Sequence, residues 1–373
     1  MPVIPSVLIA SIGYGGHFFV FSETFTTYEQ YWFQFCLSML WLSYYLAITT
    51  SPGSPPSDFK TLPYEWHRWC KKCEGYKPER SHHCKTCGIC VLKMDHHCPW
   101  TANCVGFANM PHFMRFLLWV DYTNFVAFKG ILSKSITFWN ERSAPIYLIS
   151  KTQLTATIVL FFMSLFVLCT VGLLTLRELQ GILFTGRTQI ETWDMDRIRD
   201  HIETMGFVEK IQKSYKELFG KELQNLMSWS SSHKRELTAG VPILTEDDIV
   251  FPYFTNPIDN IFQCMGYPWN WLNPFGGPAG TGLTFKKNPD CVYDPKDSES
   301  QDFCVMPWPM DGGHQDQDQI EDSEVSMDSV ETDDGDEQII EDNEIVIRSR
   351  PLIKRSQWRN EYGESLGDLG VEE

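Results

Sequence analysis

Four stretches of the chain are dominated by apolar residues and are separated by polar segments. Three of them contain no Lys, Arg, Asp or Glu. Their lengths lie close to the about 20 residues that a helix needs to cross the hydrocarbon core of a bilayer. We therefore expect an α-helical polytopic membrane protein with four transmembrane helices, rather than the buried core helices of a soluble protein. The four stretches are residues 6–22, 31–50, 114–135 and 152–176.

The third stretch is interrupted by charged residues, among them Arg115, Asp121 and Lys129. A charge at the centre of a spanning helix costs about 2.5–3.5 kcal/mol on the insertion scale. We therefore expect Asp121 and Lys129 to face the interior of the bundle, to pair, or to extend towards the membrane surface. Because an intramembrane ionisable residue is a candidate functional residue by default, Asp121 is a weak site candidate.

Basic residues predict the orientation of the chain. Eight Lys and Arg residues lie from Lys60 to Lys93, between the second and third stretches, whereas residues 23–30 contain none. Because basic loops remain on the cytosolic side, this segment and, with four spans, both termini are expected in the cytosol. The predicted regions are 1–50, a first transmembrane hairpin; 51–113, a cytosolic cysteine-rich domain; 114–176, a second transmembrane pair; 177–310, a cytosolic C-terminal region; and 311–373, an acidic, largely disordered tail.

The formal net charge of −17 comes almost entirely from the tail. Residues 311–347 contain fifteen Asp and Glu and no Lys or Arg, so the rest of the chain is close to neutral. A block of like charge repels itself and buries little, and we expect it to be disordered. Nucleic acid is not expected as a partner, because binding of phosphates needs clustered basic residues.

The cysteine-rich segment from Cys70 to Cys104 carries the candidate chemistry, with seven cysteines and four histidines in thirty-five residues. Paired C-x2-C units of this kind bind tetrahedral zinc through thiolate and imidazole ligands. Two closed zinc sites need eight ligands, which leaves three of the eleven candidates for another role. The abundance of cysteine is better explained by zinc thiolates in a reducing cytosol than by disulfides.

Neighbouring residues in an extended segment point to opposite sides, which separates His83 from Cys84 and His97 from Cys98. If His97 is a ligand, His96 and Cys98 are free to meet. A thiol beside an imidazole can form a nucleophilic thiolate when a carboxylate orients that imidazole, and Asp95 is the carboxylate here. The alternative is that Cys98 is a ninth ligand or a buried thiol.

This segment resembles the cysteine-rich domain of the DHHC-type protein S-acyltransferases, or palmitoyltransferases, which are membrane enzymes. The match covers Cys70 to Cys104 without a gap and includes the run Asp95-His96-His97-Cys98. It continues through Pro99-Trp100 and Asn103-Cys104-Val105-Gly106-Phe107 to Asn109 and Phe113.

The resemblance implies that Cys98 is the nucleophile, His96 the general base and Asp95 its orienting partner. It also implies two structural zinc ions, palmitoyl-CoA as the acyl donor and a membrane-associated protein as the acceptor. His82 receives no role. The implied zinc ligands are Cys70, Cys73, His83 and Cys90 for one ion, and Cys84, Cys87, His97 and Cys104 for the other.

The acyl chain would need an apolar pocket among the spans, with Trp100 and Phe113 as candidate lining residues. Two rival classes need the zinc ions but no free Cys98. One is a membrane-anchored zinc module that only binds partners, and the other is a zinc domain like those of ubiquitin ligases.

Two motifs beyond the fourth stretch extend the resemblance. Thr188 and Glu191 match the family's T-T-x-E motif, while Gln189 replaces its second Thr; the alternative is a helix-capping pattern. Tyr253, Asn260 and Gly266 resemble, in their spacing, a motif in the C-terminal region of the family. Ser51 stands where the family often has Asp before Pro-Gly. The C-terminal features resemble a fungal branch called protein fatty acyltransferase 4, which implies the endoplasmic reticulum membrane.

Overall fold

The computed structural model describes residues 2–143, 145, 149–202, 205–222, 249–293 and 303–312. The predicted acidic tail lies outside the described residues, apart from its first two positions, 311 and 312. Those two are buried, and Asp311 pairs with Arg197 of the C-terminal region. The packed body of the protein therefore includes the start of the segment predicted as tail.

Long helices form a bundle that agrees in position with the four apolar stretches. Two of them, Val3–Thr24 and Lys151–Thr185, are long and apolar enough to cross a membrane by length and composition. The helices predicted second and third form as well, but they do not reach the same apolar composition. The helices are α1 Val3–Ala10, continued through π-helical turns Ser11–Gly15 and His17–Phe21 into α2 Ser22–Thr24; α3 Thr27–Thr49; α4 Met110–Asn140; and α5 Lys151–Gln180, continued by a π-helical turn Gly181–Thr185.

Helix α4 is the centre of the bundle and packs against both α3 and α5. Its buried face carries Leu117, Val120 and Ile131. Asn124 and Ser164 bridge α4 and α5, since the Asn124 amide donates to the Ser164 carbonyl at 2.9 Å and the Ser164 hydroxyl donates to Oδ1 of Asn124 at 2.7 Å. Such reciprocal bonds satisfy polar groups that an apolar environment would otherwise leave unpaired.

The charged residues of α4 each find a partner. Thr175 of α5 donates a hydrogen bond to Oδ2 of Asp121 at 2.6 Å, and Nζ of Lys129 lies 3.6 Å from Glu29 at the start of α3. Asp121 is thus bound by a neighbouring helix, whereas the exposed Lys129 side chain lies beside a carboxylate at the start of α3. Arg115 is buried and binds backbone carbonyls instead of a carboxylate.

The cysteine-rich segment folds as three two-stranded antiparallel hairpins. The hairpins are tied to one another and to the preceding loop by backbone bonds, such as Leu92 N–H to the Gly53 carbonyl at 3.0 Å. Gly106 lies in a crowded place, where a Cβ atom would come within 2.5 Å of Val91. The strands are β1 Trp69–Cys70 with β2 Gly75–Tyr76, β3 His82–Cys84 with β4 Ile89–Val91, and β5 His96–Cys98 with β6 Asn103–Val105.

The C-terminal region builds a second apolar core beside the hairpins. Its buried residues include Ile198, Ile211, Tyr253 and Met306. The indole of Trp66 donates to the carbonyls of Pro307 and Pro309, both at 2.9 Å, and links this core to the cysteine-rich segment. The helices are α6 Gln189–His201, α7 Met205–Phe219, α8 Pro257–Met265 and α9 Pro268–Trp271, with 3-10 turns Pro289–Cys291 and Phe303–Val305.

Candidate active site

The hairpin β5–β6 presents the run His96-His97-Cys98 between the helix bundle and the other hairpins. His97 lies opposite Cys104, while Cys98 lies opposite Asn103. The Asn103 amide donates to the carbonyl of Thr50 at 2.9 Å, just beyond the end of α3. Because a strand alternates its side chains, this anchoring holds His97 on one side of the hairpin and Cys98 on the other.

Cys98 is buried in the apolar cluster that also forms the core of the helix bundle. It packs in that cluster together with Val105, Met110 and Phe113. The ring of Phe113 stands edge-on to the ring of His96, with centroids 5.4 Å apart. The thiol therefore faces an apolar environment rather than either set of zinc ligands.

His96 lies between the thiol and a buried carboxylate. Its Nδ1 is 2.6 Å from Oδ2 of Asp95, and because a carboxylate can only accept, Nδ1 carries the proton. The other ring nitrogen is then the one available to Cys98, which lies close enough to His96 for each group to shift the pKa of the other. The other oxygen of Asp95 accepts the backbone N–H of Gln189 at 2.8 Å. Asp95 is thus fixed from both sides and holds the imidazole in one orientation.

The electrostatics of this group favour an ion pair. Burial opposes a charge on His96, but hydrogen bonds and charge interactions with Asp95 and Cys98 outweigh it and raise the pKa of His96 to about 10. Burial likewise opposes ionisation of Cys98, but hydrogen bonds with His96 and Thr101 lower the pKa of the thiol below its ordinary value. A thiolate beside an imidazolium is the activated state of a nucleophilic cysteine.

The structure brings together the first set of four predicted zinc ligands. The Nδ1 atom of His83 lies 3.5 Å from Sγ of Cys70, 3.3 Å from Sγ of Cys73 and 3.8 Å from Sγ of Cys90. In a tetrahedral site with Zn–S of about 2.3 Å and Zn–N of about 2.0 Å, neighbouring ligand atoms are about 3.5–3.8 Å apart. The donor set and its spacing fit one zinc ion.

The second set also comes together. The Nδ1 atom of His97 lies 3.7 Å from Cys84, 3.4 Å from Cys87 and 3.6 Å from Cys104. The atoms of each set of four all lie within 4.8 Å of one another, so each set could hold one metal ion. Cys98 and His96 belong to neither set, so neither is needed as a zinc ligand.

A third group of potential ligands was not foreseen from the sequence. A carboxylate oxygen of Glu178, near the end of α5, lies within 4.8 Å of the ligand atoms of Asp95 and His96. A second carboxylate, from the end of a candidate membrane helix, therefore lies beside the catalytic candidates. Glu178 lies two positions beyond the uncharged stretch, and its sequence position alone does not indicate this contact.

The T-T-x-E-like motif both caps a helix and contacts the candidate active site. Thr188 caps α6 and forms a reciprocal capping box with Glu191. Glu191 also forms a buried ion pair with Arg80, while the Gln189 N–H binds Asp95. With Gln189 in place of the family's second Thr, the backbone at this position still contacts the carboxylate of Asp95.

Arg80 was missed by the sequence analysis, although it connects several motifs. Its guanidinium lies 4.5 Å from the centroid of the Tyr253 ring and donates to the Gly186 carbonyl at 2.9 Å. The Tyr253 hydroxyl donates to Glu79 at 3.1 Å. Asn260 is buried beside Gly186. A Cβ atom added at Gly186 would lie 3.2 Å from the Asn260 side chain. The C-terminal motif thus packs against the loop that precedes α6.

The two predicted pocket residues differ in their surroundings. Phe113 is buried beside His96, as described above. The ring of Trp100 is half exposed. The backbone carbonyl of Trp100 accepts a hydrogen bond from the Tyr44 hydroxyl at 2.9 Å. The Tyr44 ring stacks on Phe116, with centroids 4.8 Å apart. This contact fixes the backbone that follows Cys98 against α3 and α4.

The structure thus combines a buried thiol beside an oriented imidazole, two Cys/His clusters and a helix bundle with two helices long and apolar enough to cross a membrane, a combination that suits a membrane-associated enzyme. The model of the DHHC palmitoyltransferase family matches residues 64–196. The chain is 42% identical to palmitoyltransferase PFA4 of Candida glabrata over 376 residues, which cover 99% of this chain and 96% of that protein. It is 40% identical to palmitoyltransferase PFA4 of Saccharomyces cerevisiae over 373 residues, with the same coverage. A probable protein S-acyltransferase 13 of Arabidopsis thaliana is 30% identical over 238 residues, or 58% of this chain and 72% of that protein.

The chain belongs to the DHHC palmitoyltransferase family and is a protein S-acyltransferase. The prediction of the family is thereby confirmed, and the two rival classes, a binding module and a ubiquitin-ligase-like domain, do not explain this membership.

Proposed function

We propose that the protein transfers a long-chain acyl group, such as palmitoyl, from acyl-CoA through Cys98 to a cysteine of a membrane-associated protein. The observation that carries this proposal is the series Asp95–His96–Cys98, in which Asp95 binds Nδ1 of His96 and the buried Cys98 thiol lies beside the imidazole, where the cysteine-rich segment meets the helix bundle. In this series each residue has one role. Cys98 is the nucleophile, His96 holds and returns the proton, and Asp95 orients the imidazole and balances its charge.

In the first step the Cys98 thiolate attacks the carbonyl carbon of the acyl-CoA thioester. The bond between that carbon and the CoA sulfur breaks, and the CoA thiolate leaves with the proton that His96 held. In the second step the acceptor thiol gives its proton to His96 and attacks the acyl-Cys98 carbonyl, which releases the Cys98 thiolate. Each step exchanges one thioester for another, so catalysis depends on positioning and on activation of the thiol rather than on an energy source.

The surroundings of Cys98 suit a long acyl chain. The thiol belongs to the same buried cluster as Phe113 and residues of α3, α4 and α5. Each buried CH2 group of an acyl chain is worth about 0.8 kcal/mol, so a palmitoyl chain gains most of its affinity from an apolar environment. Phe113 would line the chain next to the reacting carbonyl, and Trp100 would contribute at the half-exposed edge of the site.

Two zinc ions would be held by the two sets of four ligands described above. Bound zinc would supply structural cross-links between the hairpins, with all four positions of each ion taken by protein ligands. Strand β5 connects this support to the chemistry, because it joins the ligand His97 to His96 on one side and Cys98 on the other. Loss of zinc would therefore misplace the nucleophile and its base together.

We place the protein in the endoplasmic reticulum membrane with four spans and with both termini and the cysteine-rich domain in the cytosol. This placement rests on the positions of the four helices, on the basic loop before α4 and on the resemblance to the fungal branch. The five regions proposed from the sequence follow this topology. A fluorescent fusion should co-localise with an endoplasmic reticulum marker, and a tag at either terminus should be digested by protease added to sealed microsomes.

The proposed intermediate is tested by incubating the purified protein with a clickable palmitoyl-CoA analogue. The wild type should acquire a label that hydroxylamine removes, and Cys98→Ser should lose it while retaining about two zinc ions. The matched control is Cys169→Ser, which changes an exposed cysteine of α5 and should label normally. Equal labelling of Cys98→Ser and the wild type would remove Cys98 from the mechanism, and loss of zinc from Cys98→Ser would make it a ligand.

A further inference from the structure

The segment around α8 and α9 is unusually apolar for a region outside the long helices. From residue 260 to residue 285 the chain contains no Asp, Glu, Lys or Arg. The first charged residues after it are Lys286 and Lys287. In the chain as a whole 21% of residues are charged, so an uncharged run of this length is a compositional signal.

The aromatic and aliphatic side chains of this segment project outward. Leu272 is 93% exposed, Trp269 is 72% exposed and Phe275 is 67% exposed. The exposed ring of Tyr267 stacks on Trp269, with centroids 4.8 Å apart. We name these four side chains, Tyr267, Trp269, Leu272 and Phe275, the aromatic wedge. A cluster of large exposed apolar side chains marks a site that something else covers.

The backbone under the wedge is held in place by one buried side chain of the helix bundle. Arg115, in the second turn of α4, is buried, and one of its terminal nitrogens, Nη2, donates to the carbonyls of Asn270 and Gly276, both at 2.7 Å. The carbonyls of Trp271 and Pro274 accept weaker bonds from the same guanidinium at 3.3 Å. The loop is therefore ordered, and its apolar side chains remain outside although its backbone polar groups are bound.

The wedge is continuous with the end of a membrane helix. Helix α8, which leads into the wedge, packs against the turn Gly181–Thr185. That turn completes the apolar helix Lys151–Thr185, and its Phe184 is 69% exposed. Arg115 likewise ties the wedge to the start of α4, at the end of the bundle next to the cysteine-rich segment. The wedge thus lies at the level where the bundle leaves the membrane.

We propose that the aromatic wedge inserts into the interfacial layer of the cytosolic leaflet, so that the phospholipid bilayer is its partner. Trp and Tyr are favoured in that layer, because their rings combine an apolar body with a polar edge. This inference rests on the membrane location of the bundle and does not depend on the chemistry at Cys98.

The wedge also has a consequence for the catalytic region. Helix α8 carries Asn260 and Cys264, and Cys264 belongs to the same buried cluster as Cys98. A wedge held in the lipid would therefore fix α8, and with it one wall of the site, relative to the membrane surface. Arg115 is the positioning residue that connects the lipid-facing loop to α4.

The test places the photocrosslinking residue p-benzoylphenylalanine at single positions in the full chain, reconstituted as one copy per nanodisc with a clickable phosphatidylcholine. Position 272 should give a lipid adduct at least about tenfold stronger than position 292, which is also exposed but lies outside the wedge. Position 162, an exposed site in the middle of α5, is the positive control for lipid contact.

The proposal would be overturned if position 162 gave a strong lipid adduct while position 272 gave no more adduct than position 292. A second arm uses nanodiscs loaded with two copies of the chain. If position 272 crosslinked there to the second copy instead of to lipid, the proposal would also be overturned and the wedge would be assigned to a protein interface. Cys98→Ser should leave the lipid adduct at position 272 unchanged, which separates this inference from the proposed acyl transfer.

Discussion

Arg80 and Glu191 form a fully buried ion pair between the cysteine-rich segment and α6. Two nitrogens of the guanidinium, Nε and one terminal nitrogen, each lie 2.6 Å from a carboxylate oxygen of Glu191. The pair connects the loop that precedes His83 to the helix whose first N–H binds Asp95. It therefore links the hairpins that carry the proposed zinc ligands to the residue that we propose orients the base.

Breaking this pair should strongly destabilise the protein. Arg80→Met leaves the Glu191 carboxylate buried without its partner, which typically costs about 3–5 kcal/mol of unfolding free energy. The measurement is denaturant unfolding of the detergent-solubilised protein. The matched control is Arg199→Met, which changes an exposed arginine paired with Asp196 and should cost at most about 1 kcal/mol. Equal stability of Arg80→Met and the control would contradict this account.

The same pair predicts a dependence of stability on acid pH. Burial opposes the charge on Glu191, but Arg80 and the Thr188 N–H outweigh it and lower its pKa below the ordinary 4.5. As the pH falls below 4.5, the unfolded chain takes up a proton that the folded chain refuses, so this part of the stability is lost until the pH passes the lower folded pKa. Above the unfolded pKa the contribution is fully present.

The measurement is the free energy of unfolding of the wild type and of Glu191→Gln between pH 6 and 3. The wild type should lose more stability over this range than the variant, because the amide that replaces the carboxylate has no proton to gain. Parallel curves for the two proteins would show that Glu191 contributes no such linkage.

Asp95→Asn should slow formation of the acyl-enzyme while the fold and the zinc content persist. The amide can no longer balance the charge on His96 or fix its Nδ1 proton, and the loss of an effective general base is worth about 10²–10⁴-fold in rate. The measurement is the single-turnover rate of labelling with an acyl-CoA analogue. Asp196→Asn, on the exposed side of α6, is the control and should label at the wild-type rate.

Removal of one zinc ligand should remove one metal ion. Cys73→Ser takes a thiolate from the first set, and the metal content should fall from about two ions per chain to about one. Cys291→Ser changes a buried cysteine outside both sets and should retain both ions. Inductively coupled plasma mass spectrometry of the purified proteins measures this content. Two ions retained in Cys73→Ser would contradict the first ligand set.

Local alternation along the chain predicted much of the site, because it depends only on neighbouring residues. His97 and Cys98 point to different partners in a strand, and so do His83 and Cys84, as the extended backbone requires. The apolar stretches likewise predicted the positions of the four long helices. Their ends differ by several residues; α4, for example, begins at Met110 and runs to Asn140, well beyond residues 114–135.

Contacts between distant segments were not predictable in the same way. The sequence contains many possible carboxylate partners for Arg80, and nothing local selects Glu191, which is 111 positions away. Arg115 is a second case. Nothing near Arg115 in the sequence indicates that it binds a set of carbonyls in a loop about 155 positions further along.

The most direct test of the central claim is a chase of the acyl-enzyme. The protein is charged with palmitoyl-CoA, freed of excess donor, and mixed with a membrane-bound peptide that contains one cysteine, and both are followed by mass spectrometry. The proposed mechanism predicts a palmitoyl thioester on the peptide fragment containing Cys98, which decays as the same mass appears on the acceptor cysteine. An acyl group on another residue, or one on Cys98 that the acceptor does not discharge, would contradict the mechanism.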